Sequence, residues 1–264
     1  MFKQIGRLCT GALAVAFLFP AVAQSTDTFR WNGKLANGQR VHVMDVNGSI
    51  AVTPSSGDAV SVVAEKKANR DGNLNDVEFK VEQSSEGLTI CSLYRREDGS
   101  FPASCAERSD NNKRTKRNIN VGTKINLQMP ASANLKAQTV NGGIDVHGLR
   151  GSVDANTVNG GIDIETTGLA NAKTVNGGVR AKVGTLNQDC TFSTVNGRVV
   201  VAVSPNLNAT LSASTVNGKI ESDLPITLQG SINRRNLQGK IGNGGANLKL
   251  STVNGGIRLE RASI

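Results

Sequence analysis

A six-residue phrase recurs along the second half of the chain and leaves few folds open to it. It first reads Thr139-Val140-Asn141-Gly142-Gly143-Ile144. Further copies start at Thr157, Thr174, Thr194, Thr215 and Thr252, and the second Gly becomes Arg198 in one and Lys219 in another. The steps between successive Asn residues are 18, 17, 20, 21 and 37. A recurrence near twenty residues signals a solenoid, in which each repeat is one coil stacked on the next. The step of 37 is too long for one coil. Leu237-Gln238-Gly239-Lys240-Ile241 supplies the missing copy, with Gln238 in the Asn place.

The flanks read as strands. Four residues before each Thr stand Leu135, Val153, Ala170, Cys190, Leu211 and Leu248; two before stand Ala137, Ala155, Ala172, Phe192, Ala213 and Leu250. Three after each Asn stand Ile144, Ile162, Val179, Val199, Ile220 and Ile257; five after stand Val146, Ile164, Ala181, Val201, Ser222 and Leu259. This is period-2 alternation on both sides of a turn, so one face of each strand points inward. The Thr shares the inward parity, and the Ile after the turn resets it. Asn and Gly are expected to turn that corner because they accept positive φ. Asn-Gly between alternating runs also signals hairpins. A meander of hairpins, however, would place successive turns at opposite ends of a sheet. One constant phrase in every unit fits stacking instead.

Earlier, Val41-His42-Val43-Met44-Asp45-Val46-Asn47-Gly48-Ser49-Ile50-Ala51-Val52 fits the same template, with Asp45 in the Thr place. Coils about 4.8 Å apart would then align Asn47, Asn141, Asn159, Asn176, Asn196, Asn217, Gln238 and Asn254 in one column, amide on amide. Such a column is scaffold rather than binding site. A strand pair is expected around Asn37-Gly38. Residues 58–128 break the period, with alternating stretches at 59–64, 77–81, 88–93 and 119–127 between polar loops.

Residues 1–23 read as a secretory signal peptide. Lys3 and Arg7 precede an apolar run from Leu8 to Phe19, and Ala21-Val22-Ala23 is a cleavage site. Removing those two cations leaves 28 Lys and Arg against 21 Asp and Glu, a net +7 on the mature chain. That balance favours anionic partners, an anionic glycan or lipid of the envelope, and is not by itself a nucleic-acid signature. The expected fold is all-β: a single-domain β-solenoid, parallel β-helix-like, over 24–264. Its irregular N-terminal β part spans 24–130 and carries a Cys-bearing loop; regular coils occupy 131–264. The expected setting is extracytoplasmic, periplasm or cell surface.

The order of features is distinctive: an early Val-Asn-Gly-Ser-Ile, alternating strands, Ile125-Asn126-Leu127-Gln128-Met129-Pro130-Ala131, then serial Thr-Val-Asn-Gly-Gly-Ile units. Over residues 40–260 this resembles the bacterial β-strand-repeat family of unknown function labelled "putative adhesin". The resemblance implies a β-helix-like solenoid in the cell envelope.

Candidate chemistry is sparse. His42 and His147 have no second His or Cys at metal-ligand spacing and read as exposed polar side chains. Asp145 and Asp163 occupy equivalent outward positions, as carboxylates do in β-helix enzymes acting on acidic polysaccharide. The same column continues with Arg180, Val200, Glu221 and Arg258, a mixed-charge face. The Gly-Gly-x-Gly-x-Asp nonapeptides of calcium β-rolls and the Gly-x-Ser-x-Gly nucleophile elbow are missing. No cofactor is implied. Lys113, Arg114, Lys116 and Arg117, with Arg95, Arg96 and Arg108 nearby, form the densest basic region and the candidate anion-binding segment.

Of the three cysteines after residue 23, Cys190 shares the inward column of Leu135 and Val153, whereas Cys91 and Cys105 flank a polar segment. A Cys91–Cys105 disulfide and a buried free Cys190 are expected. Arg234 falls where other coils carry Ala, Phe or Leu, so a bulge or a shift of parity is expected there. Only five residues follow Leu259. The last coil then needs a covering element, or else self-association through its open edge. The reading is a non-catalytic secreted envelope module, structural or adhesive. The alternatives are a carbohydrate-active enzyme on acidic polysaccharide and an envelope-stress or anionic-ligand-binding module that uses the basic loop.

Overall fold

The computed structural model describes residues 26–262 except 70, 110–113, 117–118, 185 and 229–234. The signal-peptide reading and Arg234 lie outside the described residues.

The first strands are β1 (Thr26–Lys34), β2 (Arg40–Met44), β3 (Gly48–Ser55), β4 (Ala59–Ala68), β5 (Val77–Ser84), β6 (Gly87–Tyr94) and β7 (Val121–Pro130). Short coil strands follow: β8 (Asn134–Gln138), β9 (Ile144–Leu149), β10 (Val153–Asn156), β11 (Ile162–Thr166), β12 (Ala170–Lys173), β13 (Val179–Val183), β14 (Cys190–Ser193) and β15 (Val199–Val203). The last are β16 (Ala209–Asn217), β17 (Ile220–Ser222), β18 (Thr227–Leu228), β19 (Asn236–Ile241), β20 (Asn247–Asn254) and β21 (Ile257–Arg261).

They form two facing sheets. One runs β1-β4-β7-β3-β9-β11-β13-β15-β21-β17; the other runs β18-β19-β16-β20-β14-β12-β10-β8-β2-β6-β5. Each regular coil gives one strand to each sheet and turns the corner through its Thr-Val-Asn-Gly phrase. Neighbouring coils pair in parallel with inward residues in register, as in Val153↔Leu135 and Ile162↔Ile144. The fold is therefore the expected all-β solenoid. Its main core is one apolar cluster reaching from Leu35 to Leu259, with Ala172 and Phe192 meeting across adjacent coils, and two small clusters around Tyr94 and around the Cys91–Cys105 bridge lie beside it. Antiparallel pairs occur only toward the ends among the described strands: β1 with β4, β4 with β7, β5 with β6, and β19 with β16 and β18. The strands flanking Asn37-Gly38 do not pair with each other, contrary to expectation. β1 joins one sheet and β2 the other, so the turn at Gly38 (φ 83°) is a crossing between sheets.

The corner glycines have a different role from the one expected. Gly142, Gly160, Gly197, Gly218 and Gly255 do not adopt the left-handed region, and Gly177, at 159°, is close to extended. The reason for Gly is close stacking. A Cβ on Gly160 would lie 1.9 Å from the Gly142 carbonyl oxygen, and one on Gly197 would lie 2.0 Å from that of Gly177. The second Gly is freer: a Cβ on Gly161 would sit 3.6 Å from the nearest carbonyl. That explains why Arg198 and Lys219 can take this place. The close approach lets each Thr hydroxyl donate to the carbonyl of the coil before it, Thr157 to Gly142 at 2.9 Å and Thr174 to Gly160 at 2.9 Å. These donors satisfy the buried hydroxyls that a purely apolar corner would leave unpaired.

The coils do not stack in chain order. The last coil, β20–β21, sits between β14–β15 and β16–β17. Gln238 consequently leaves the expected column. β19 runs antiparallel to β16, with Gln238 opposite Ser212, so residues 237–241 are a covering strand and not a coil. The C-terminal coil is not the end of the stack, because β21 is flanked by β15 and β17. The edge beside it is β17, three residues long, carrying Glu221 and flanked by Lys219 and Asp223, which is how short edges are blunted.

Candidate functional site

Along the stack, each Asn side chain donates its Nδ2 to the Oδ1 of the next. Asn217 donates to Asn254 (2.8 Å), Asn254 to Asn196 (2.7 Å) and Asn196 to Asn176 (2.8 Å). Asn176 donates to Asn159 (2.8 Å), Asn159 to Asn141 (2.8 Å) and Asn141 to Asn47 (2.7 Å). All six bonds point the same way, so the amide dipoles add. The positive end is the Nδ2 of Asn47, the one amide donor of the ladder with no ladder acceptor beyond it.

What lies beyond Asn47 is the coil β6–β7. Its corner is not Thr-Val-Asn-Gly but the whole segment 95–120. No Gly carbonyl is therefore presented to the next coil, and the residue in the Thr place there is Asp45, an acceptor. Asp45 is 1% exposed and takes hydrogen bonds from Thr123 Oγ1 (2.5 Å), Ser92 Oγ, Tyr94 Oη (3.3 Å) and the Val46 N–H (2.8 Å). Burial, with the Asp45 charge second, pushes the Tyr94 phenol up to about 12.

The insert folds back over this corner. Cys105 is bonded to Cys91 of β6, with Cα atoms 5.8 Å apart, and both cysteines are buried. This is the expected bridge, and Cys190 is free and buried, also as expected. A 3-10 turn, Ala106–Ser109, follows Cys105 directly and carries Arg108. The disulfide thus fixes where that guanidinium sits. Arg108 Nη2 donates to the Asp45 carbonyl at 3.2 Å, while Nη1 is buried and has no hydrogen-bond partner. Burial lowers the Arg108 pKa from its ordinary value, against the opposing charge of Asp45. Arg96, 6% exposed, reaches the Glu107 carbonyl at 3.4 Å and its carboxylate at 3.9 Å. Asp76 holds Lys116 at 2.8 Å and Arg95 at 3.2 Å. Between insert and corner lies a cavity of about 410 Å³ lined by Asn47, Tyr94, Arg96, Glu107, Arg108 and Lys116, among others.

The basic segment read from sequence divides. Lys113 and Arg117 lie outside the described residues, Arg114 is exposed, and Lys116 lines the cavity. Arg96 and Arg108, noted earlier only as neighbours, are the cations brought under the insert. One signal pointed to them: Asp in the Thr place at residue 45 marks an atypical corner.

A second, shallower groove of about 480 Å³ lies on the outer face of the first sheet, lined by Asp145, Asp163, Arg180, Arg198 and the glycines 143, 161 and 178. Asp145 and Asp163 are neighbours in register. Arg180 pairs with Asp163 at 4.0 Å, and Arg258 with Glu221 at 3.5 Å, giving a mixed-charge column. His147 stands 3.7 Å from Glu165, itself bonded to Lys182 at 2.8 Å. His42 is half-buried and bonded to Gln138 at 2.9 Å; burial lowers its pKa. Among the described residues no group of three or more His, Cys, Asp or Glu converges to hold a metal ion.

Stacked parallel coils, an amide ladder and a disulfide-pinned cap define the class: an all-β repeat solenoid with one closed, decorated end. The chain belongs to the Toastrack DUF4097 family, which matches residues 49–260. It is similar to a "putative cell adhesion protein" from Clostridium sporogenes ATCC 15579, at 10% identity, covering 89% of this chain and 100% of that one with a TM-score of 0.48. It is also similar to a "putative adhesin" from Bacteroides fragilis NCTC 9343, at 13% identity, 88% and 97% coverage and a TM-score of 0.40. No curated protein matches the chain.

Proposed function

We propose that the protein is a non-catalytic, extracytoplasmic module of the cell envelope, a stiff spacer that serves structure or adhesion. The observation that carries this reading is where the repeat's polar groups go. Thr hydroxyls bond to Gly carbonyls of the adjoining coil and Asn amides bond to one another. The repeated residues build length and rigidity, and within the stack their polar groups are spent on one another, the terminal Asn47 amide alone excepted. The Cys91–Cys105 bridge supports an oxidising compartment, as does the leader-like start over residues 1–23 with cleavage near Ala23. N-terminal sequencing of protein recovered from a periplasmic or surface fraction tests the location; a cytoplasmic chain beginning at Met1 would overturn it. Pull-down of the mature protein against envelope fractions tests the role, and a specific envelope component retained on it is the expected result.

The groove over Asp145, Asp163 and Arg180 favours one competing reading, an enzyme acting on acidic polysaccharide. Incubation with acidic polysaccharides is expected to release no new reducing ends. Release that is lost in Asp163→Asn would move the protein into that class.

A further inference from the structure

The cap end of the solenoid holds a cavity that none of the stacking explains. Its floor is the terminal amide of the Asn ladder, whose Nδ2 has no ladder acceptor beyond it. Its wall is Arg108, placed by the adjoining Cys105 bridge, with Nη1 buried and unpartnered. Arg96 and Lys116 add positive charge, and Glu107 is the acidic residue of the lining. A buried guanidinium nitrogen without an acceptor is costly to leave so, and a turn of the Arg108 side chain toward an oxyanion in the cavity supplies the missing acceptor. The aligned ladder dipoles favour negative charge at the same place. About 410 Å³ is the size of site that takes a small ligand rather than a single ion.

We propose that this cavity binds a phosphate monoester, held by the Arg108 Nη1 and the Asn47 Nδ2 with Arg96 and Lys116 at its sides. A phosphate monoester presents three acceptor oxygens to donors arriving from different directions and carries close to two negative charges at neutral pH. Arg108 can fork onto two of those oxygens once Nη1 is engaged. The site lies at the inner side of the insert. Arg114, on its exposed side, contributes nothing to it. The same chemistry could be carried by a soluble sugar phosphate or by a lipid headgroup, and the test separates these sources.

The experiment uses the mature, disulfide-intact protein. Calorimetric titration with glucose 1-phosphate, and with glucose as the neutral control, is run beside sedimentation with phosphatidylcholine vesicles containing phosphatidate. Binding of glucose 1-phosphate but not glucose is expected if the source is soluble, and capture by phosphatidate vesicles alone if it is a lipid. Arg108→Gln should weaken whichever binding is seen by about tenfold or more, and Arg96→Gln should weaken it in the same direction. Arg114→Gln should change it less than about twofold. Thermal melts of the unliganded variants guard against misfolding; if Arg108→Gln fails to fold, Arg108→Lys is used. It keeps the charge and loses the fork, and should still weaken binding. Binding to neither probe would overturn the proposal, as would equal losses from Arg108→Gln and Arg114→Gln. Such a failure leaves the envelope-module reading standing, since that rests on the stack and on no ligand.

Discussion

Asn254 donates its Nδ2 to the Oδ1 of Asn196 at 2.7 Å, although 58 residues separate them in the chain. Asn217, which follows Asn196 in the repeat series, bonds to Asn254 instead. The chain lays down the coil at 211–222 first, covers its outer side with β19 and β18, then returns to slide the final coil beneath it. Burial explains the preference. The final coil brings Leu248, Leu250, Ile257 and Leu259 inward, all at most 1% exposed. The 211–222 coil brings Leu211, Ala213, Ile220 and Ser222, and the last two are only partly buried. Apolar area is worth more when covered on both sides, so the richer coil belongs inside and the one ending in Ser belongs at the edge.

The corner glycines should separate cleanly by position. Gly160→Ala places a methyl within 1.9 Å of a backbone oxygen and should destabilise the protein by about 2–3 kcal/mol. Gly161→Ala meets its nearest oxygen at 3.6 Å and should stay within about 1 kcal/mol of the parent, in either direction. Urea unfolding of the two variants measures this. Equal effects would mean that the coils are not stacked this closely.

Restoring the repeat consensus at the cap end should be harmful. Asp45→Thr supplies the residue found at the other six corners, yet Ser92, Tyr94 and Thr123 then lose the carboxylate they share. A loss of about 2–3 kcal/mol is expected from unfolding curves. A neutral or stabilising result would show that this hydrogen-bond cluster contributes nothing.

Alkaline pH should expose Tyr94. Its phenol sits at about 12 in the folded protein and near 10 in an unfolded chain. The folded state therefore keeps its proton where the unfolded state has released it. The stability this provides is intact below pH about 10 and drains away as pH rises to about 12. Denaturation curves from pH 9 to 12 should show that decline, and Tyr94→Phe should flatten it. An unchanged slope in the variant would place the titration elsewhere.

The two cysteine environments should differ chemically. Cys190 is 1% exposed, and burial raises its thiol pKa. Iodoacetamide should leave it unlabelled until the protein is unfolded. The Cys91–Cys105 bridge closes a loop with a sequence separation of 14, and reducing it should cost about 3 kcal/mol while leaving the coil stack assembled. Labelling of Cys190 in the native state would contradict its place in the core.

Much of the stack was legible in the sequence, because strand parity and corner chemistry are local. Leu135 and Ala137 before a corner, with Ile144 and Val146 after it, declare an inward face without any long-range information. The order of coils was not legible from the motif, since the phrases at 215 and 252 are equivalent as motifs. Only Ser222 hinted that one coil was an end. Leu237-Gln238-Gly239-Lys240-Ile241 misled because an antiparallel cover strand needs the same alternation as a coil. The cavity was hidden for a different reason. Arg96 and Arg108 are unremarkable in a basic loop, and only the fold-back fixed by Cys105 turns them toward Asn47.

The intercalated order of coils underlies both the unbroken ladder and the covered end, and cysteine pairing reads it directly. Ser251 lies in register between Ser193 on one side and Ser214 on the other. Adjacent strands are about 4.8 Å apart, within reach of a disulfide, whereas two spacings exceed the limit of about 7 Å. Mass mapping after mild oxidation should find a 193–251 disulfide in the double variant Ser193→Cys, Ser251→Cys, and none between 193 and 214 in Ser193→Cys, Ser214→Cys. A ready 193–214 bridge with no 193–251 bridge would show coils stacked in chain order and would contradict the structure described above.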